Sequence, residues 1–193
     1  MKKLIFATNN ANKVKEVNVL LDGTLEVVSL KDLSFEEELE EDFETLQENA
    51  QQKANFIFEK LNLPCFSEDS GLEINALNGK PGVHTAHYSG SRDANENMDL
   101  VLQQLDNQQD RSAQFRTVIC LKTNEGEHFF EGVCKGSITL EKSQGEQGFG
   151  YDPIFMPDGF DVTFADLEKI AKSRISHRGQ AMRKLIDFLK QIE

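Results

Sequence analysis

The sequence predicts a mixed α/β fold, and three observations carry the prediction. An apolar run at residues 2–7 stops at a polar loop and is followed by apolar residues at helical spacing, a strand–loop–helix order typical of parallel sheets. Two strand-like runs, 114–122 and 127–135, are separated only by the turn Thr123-Asn-Glu-Gly126, which makes a hairpin and therefore an antiparallel pair. Several amphipathic stripes with helical spacing lie around these runs. The sheet is thus mixed rather than doubly wound, with helices flanking it. At 193 residues the chain is read as a single domain over 1–193, large enough to bury its own core.

Taken in order, the first strand ends at Thr8-Asn-Asn-Ala-Asn-Lys13, and Val14, Val17, Leu20 and Leu21 then recur along a helix that Asn10 or Asn12 can cap. A loop at a helix N-terminus exposes backbone N–H groups and the positive end of the dipole, and Lys13 adds an ammonium. Two readings stand here: an anion site, or a capped helix with a solvated lysine. Residues 25–30 form a second strand. Seven of the nine residues from Glu36 to Glu44 are acidic, with little apolar content to fix the segment before Phe43. Thr45 and Glu48 are spaced as a capping box for a helix whose stripe is Leu46, Ala50, Ala54, Ile57 and Leu61.

The run Leu61, Leu63, Cys65, Phe66 delivers Glu68 and Asp69 into Ser70-Gly71, read as a strand that ends in a turn. Paired carboxylates at the C-terminal edge of such a strand suit a metal or a ligand, and an ordinary surface turn is the competing reading. Asn78-Gly-Lys-Pro-Gly82 and the polar stretch to Gly90 read as a connection between lobes. Ser91 or Asp93 caps a helix with the stripe Met98, Val101, Leu102 and Leu105. Gly148 and Gly150 flank Phe149, and two readings stand: a ring presented to a flat ligand, or an aromatic packed under a glycine turn. Lys172, His177 and Arg178 gather at the start of a last helix carrying Met182, Leu185, Leu189 and Ile192.

Composition narrows the partners. With 33 acids against 21 bases the formal charge is −12, which argues against nucleic acid and against an anionic membrane. The N-terminal apolar run is far too short to span a bilayer. Cys65, Cys120 and Cys134 lie in apolar runs without metal-ligand or redox spacing, so they are expected in the core of a protein from a reducing compartment.

Together, Thr8-x-Asn10-x-x-Lys13, Glu68-Asp-Ser-Gly-Leu72, Pro81-Gly82, Gly148-Phe-Gly-Tyr-Asp-Pro153 and Ser176-His-Arg178 resemble the inosine triphosphate pyrophosphatase family, over nearly the whole chain. The resemblance implies an elongated mixed sheet flanked by helices, in two lobes with a nucleotide cleft between them. It implies hydrolysis of ITP, dITP and XTP to the monophosphate and pyrophosphate, with Mg²⁺, by a cytoplasmic homodimer. Asp69 is then the general base, and Glu41 and Asp69 the metal-side carboxylates. Thr8, Asn9, Asn10, Ala11, Asn12, Lys13, Lys53, Ser70 and Lys172 are expected to hold the phosphates and sugar. Phe149, Gly150, Tyr151 and Asp152 are expected around the base, with His177 and Arg178 at its polar edge. Glu68, His87 and Gln147 depart from the family's usual aspartate, arginine and glycine. A pyrophosphatase for other modified nucleotides and a non-catalytic nucleotide sensor are the alternatives.

Overall fold

The structure is a computed structural model and describes residues 2–21 and 25–191. Its strands are β1 (Lys2–Phe6), β2 (Leu25–Ser29), β3 (Cys65–Ile74), β4 (Pro81–Gly82), β5 (Ser112–Thr123), β6 (Gly126–Ile138) and β7 (Phe155–Pro157). They order as β2-β1-β3-β5-β6-β7, with β4 on β3. β1 runs parallel to β2 and β3, whereas β4 and β7 pair antiparallel, so the sheet is mixed as predicted. The helices are α1 (Ala11–Leu20), α2 (Leu46–Leu61), α3 (Ala94–Gln104), α4 (Lys169–Ile175) and α5 (His177–Gln191). Ile192, expected on the last apolar stripe, lies outside the described residues.

The chain divides into two compact units, one of residues 1–69, 117–132 and 178–193, the other of residues 70–116 and 133–177. In the first unit, Leu4, Phe6, Phe66, Ile119 and Leu121 pack with Val17 of α1 and with Ala181, Met182, Leu185 and Leu189 of α5. Ile5, Ala7, Cys65 and Cys120, from the same strands, pack with Ala50, Ala54 and Ile57 of α2. Alternation along the strands sends successive side chains to opposite faces, so the same three strands feed two cores. The Phe6 and Phe66 rings stack at 4.4 Å and fix β1 against β3. In the second unit Leu72, Ile74, Met98, Val101, Phe115, Phe155 and Phe164 form the core. All three cysteines are buried and free, and burial pushes the thiols of Cys65 and Cys120 up to about 12.

Three expectations are corrected. Ser70-Gly71 is not a turn, since β3 continues to Ile74. Gly71 is required there because the backbone of Gly82 on β4 passes so close that a Cβ would lie 2.5 Å from its carbonyl oxygen. The stretch 75–90 does not connect the units but belongs wholly to the second, and the chain passes from one unit to the other within β3, β5 and β6 and at the start of α5. The acidic segment does not lack attachment either. Phe35 and Leu39 pack against the α2 core, and Asp42 and Phe43 are hydrogen-bonded to α2.

Candidate active site

In the first unit, parallel pairing of β1 with β3 sets the C-terminal end of β1, Ile5 and Phe6, beside Cys65 and Phe66, so the loop after β1 leaves the sheet next to the stretch of β3 that carries Glu68 and Asp69. The loop from β1 into α1 is rigid by its own hydrogen bonds. Thr8 Oγ1 accepts from the Asn10 N–H, and Asn10 Oδ1 caps α1 by accepting from the Asn12 and Lys13 N–H groups. Asn10 itself therefore takes two of the donors that an anion was expected to meet. Asn9, Asn10, Ala11 and Asn12 are exposed, and Thr8 is buried.

Lys13, one turn into α1, reaches Glu68 Oε1 at 3.3 Å. Glu68 has no exposed side chain, and Arg178 at the start of α5 closes on it from Nε at 2.9 and 2.8 Å and from Nη2 at 2.8 Å. Arg178 Nη1 donates to Glu16, which lies on α1 three residues after Lys13. Burial lowers the Lys13 ammonium below the ordinary lysine range, with Glu68 opposing and Lys53 and Arg178 reinforcing that shift.

Asp69, next on β3, is almost wholly buried, and desolvation raises its carboxyl, with Lys53 and Lys13 pulling it back. Its Oδ1 lies 3.8 Å from Lys53 Nζ, which also donates to Glu41. Two carboxylates thus share one buried ammonium. Asp69 Oδ2 accepts from Asn49 Nδ2 at 3.2 Å. Among the described residues no group of three or more His, Cys, Asp or Glu is arranged to hold a metal. Glu41 and Asp69 nonetheless suit a hard cation. Mg²⁺ is ordinarily held by one or two carboxylates, with substrate phosphates and water completing its shell.

In the second unit, Gly148 and Gly150 have φ of +82° and +64° and turn the chain sharply around the half-buried Phe149. Asp152 Oδ2 fixes that turn by accepting from the Phe149 N–H and from Lys172 Nζ, each at 2.7 Å. Lys172 Nζ stands 5.6 Å from the Phe149 ring centre and 5.3 Å from that of Phe164. His177 is buried, its ring stacked on Phe115 at 4.7 Å. Tyr151 is a core residue, its hydroxyl donating to the Thr85 carbonyl at 3.0 Å. Gly150 and Ser70 are half-buried in this unit.

The expected residues therefore fall into two sets. Thr8, Asn9, Asn10, Ala11, Asn12, Lys13, Glu41, Lys53, Asp69 and Arg178 are in the first unit, and Ser70, Phe149, Gly150, Tyr151, Asp152, Lys172 and His177 in the second. Arg178, expected at a purine edge, is engaged with Glu68 and Glu16. Sequence reasoning missed Glu16 and Asn49. The available signal was position: Asn49 interrupts the apolar stripe of α2 between Leu46 and Ala50, where only a partnered polar group is tolerated.

The Ham1 family model matches residues 4–188. A dITP/XTP pyrophosphatase of Flavobacterium psychrophilum is 47% identical over 97% of this chain and 99% of its own length. One of Flavobacterium johnsoniae is 45% identical over 97% of each. Among solved structures, the Ham1 protein of Staphylococcus aureus superposes with a TM-score of 0.89 at 36% identity, covering 99% of this chain and all of that one.

Proposed function

The chain belongs to the Ham1 family, and from that premise we propose that it hydrolyses non-standard purine nucleoside triphosphates, ITP, dITP and XTP, to the monophosphate and pyrophosphate. The observation that carries the reading is the first unit's cluster: the buried carboxylate of Asp69 set beside the ammonium of Lys53, with Glu41 on the same ammonium. Such a cluster has the groups phosphoryl chemistry needs, a base for water and cations for the charge.

Asp69 takes a proton from the attacking water as the water oxygen bonds to the α-phosphorus. The bond from that phosphorus to the bridging oxygen breaks, and pyrophosphate leaves with the oxygen. Burial favours this step, since a carboxyl raised by desolvation is a better proton acceptor near neutrality than an exposed one. Lys13 and Lys53 offset the phosphate charge. Glu41 and Asp69 would hold Mg²⁺, which when bound supplies further charge neutralisation. In the second unit the Phe149 ring offers a stacking face, held by the Asp152 and Lys172 contacts, for a flat purine. An Arg178 contact with the purine would require the guanidinium to give up hydrogen bonds to a wholly buried Glu68, so Lys172, 5.6 Å from the Phe149 ring centre, is the better placed donor for a base held by that ring.

Mg²⁺, the homodimer and a cytoplasmic location remain parts of this proposal. No described helix is long and apolar enough to cross a membrane, and the charge of −12 supports a small-molecule substrate rather than nucleic acid. The test is release of pyrophosphate, resolved from orthophosphate, from ITP, XTP, GTP and ATP with Mg²⁺ and with EDTA. Rapid release from ITP and XTP alone is expected, whereas equal release from ATP would overturn the substrate class. Light scattering of the purified chain tests the dimer.

A further inference from the structure

The buried face of α2 carries two polar side chains among its apolar ones, Asn49 and Lys53. Asn49 is 1% exposed and uses both ends of its amide. Its Oδ1 accepts from the Phe43 N–H at 2.8 Å, and its Nδ2 donates to the Phe43 carbonyl at 3.0 Å and to Asp69 Oδ2 at 3.2 Å. Because the Phe43 N–H can only donate, it must face the amide oxygen, so the nitrogen is left for the carbonyl and the carboxylate. A neighbour on the same helix makes a useful contrast. Gln52 also makes two hydrogen bonds to this segment, to the N–H and the carboxylate of Asp42, and neither involves Asp69.

We propose that Asn49 is a positioning residue for the hydrolysis. Its donation to Oδ2 sets the plane of the Asp69 carboxylate, with Oδ1 on the side of Lys53. Its grip on both backbone atoms of Phe43 sets Glu41, two residues upstream, beside the same ammonium. The proposal rests on Asp69 being the catalytic carboxylate, and its test separates the two ideas.

The full chain is assayed for pyrophosphate release from ITP with Mg²⁺ as parent, Asn49→Ala, Asn49→Asp, Gln52→Ala, Asp69→Asn and the Asn49→Ala/Asp69→Asn double variant, each checked for a cooperative melt. Loss of a group that orients a catalytic ligand typically costs 10- to 100-fold, so Asn49→Ala should lower kcat by about that factor with KM changed less than about threefold. Gln52→Ala should keep at least about half of the parent kcat, since it loosens the same segment without touching Asp69. In the Asp69→Asn background, Asn49→Ala should have no further effect, because residues that act as a unit are not additive. Asn49→Asp keeps an acceptor for Phe43 but turns a carboxylate toward Asp69, so it should be at least as impaired, and it serves if the alanine variant does not fold. Equal kcat losses from Asn49→Ala and Gln52→Ala, or the full loss repeated in the Asp69→Asn background, would make Asn49 a structural tie only and overturn the proposal. Asp69→Asn at the parent rate would instead sink the Asp69 reading, and the Asn49 proposal with it.

Discussion

Arg178→Ala tests whether the guanidinium holds Glu68 or serves the purine edge. In the structure it provides three contacts of 2.8–2.9 Å to a carboxylate with no exposed surface. Removing one partner of a buried pair strands the other charge and typically costs ~3–5 kcal/mol. Lys13 remains 3.3 Å from Glu68 and offsets part of that cost, so the expected loss is at the low end, ~3 kcal/mol. The lost contact to Glu16, whose side chain is partly exposed, adds less than ~1 kcal/mol because water replaces it. For a chain of this size ~3 kcal/mol corresponds to a fall of roughly 6–12 °C in Tm. Urea denaturation of the parent, Arg178→Ala, Glu68→Gln and the double variant measures it directly. The double variant should be less destabilised than the sum of the singles by about 1–3 kcal/mol, because neutralising Glu68 removes the stranded charge. A single-variant loss below ~1 kcal/mol with no coupling to Glu68→Gln would refute the reasoning, and would leave the guanidinium available to a ligand.

Three further outcomes are expected. Phe149→Ala should weaken nucleotide affinity by ~1–3 kcal/mol in calorimetric titration, the usual worth of a base stacked on an aromatic ring, while unchanged affinity would remove Phe149 from the site. Burial lowers Lys13, so the ammonium that neutralises phosphate is lost on the alkaline side below the ordinary lysine range. The descending limb of kcat/KM, which reports the free enzyme, should begin below that range and move up in Lys13→Arg. Gly148→Ala places a Cβ against the Asp152 carboxylate at φ +82°, so it should cost at least ~1–2 kcal/mol in backbone strain and also weaken nucleotide binding by loosening the Asp152–Lys172 contact.

The first strands and helices were legible because local signals agreed with the fold. Asn10, Thr45 and Asp93 are the observed N-caps of α1, α2 and α3, and the expected stripe of α2 is buried from Leu46 to Ile57. Local signals failed where a distant neighbour decides. Asp-Ser-Gly reads as a turn from its own chemistry, and only the approach of Gly82 explains a glycine within a continuous strand. β7 is three residues long and exists because β6 supplies its partners, so no periodicity could announce it. α4 is likewise a seven-residue helix without a side-chain cap, and only α5 was visible after it. In the site, Lys53 was found through its resemblance to a phosphate lysine, while Asn49, four residues earlier on the same buried face, was not. A polar residue within an apolar stripe is the general signal that covers both.

The charges of the first unit bear on how a triphosphate is received. Lys13, Lys53 and Arg178 face Glu16, Glu41, Glu68 and Asp69, three cations against four carboxylates among the groups described above. Arg178 is committed to Glu68 and Glu16, and Lys53 is shared by Glu41 and Asp69, so neither is a spare positive charge. Burial pushes both Asp69 and Lys13 toward their neutral forms, which means that the site favours added charge only when it arrives balanced. A bare triphosphate would bring several negative charges to carboxylates already in slight excess, and repulsion in a site of low dielectric is not screened as it is at the surface. A divalent cation carried with the phosphates would change that sign: Glu41 and Asp69 would hold it, and the Lys53 ammonium would then serve phosphate. The expectation is that EDTA abolishes ITP binding as well as turnover. Measured by calorimetry with Asp69→Asn, binding should also depend less steeply on Mg²⁺ than with the parent, because one carboxylate charge has gone. Tight ITP binding by the parent in EDTA, with only kcat lost, would show that the lysines alone receive the substrate and that the metal acts later.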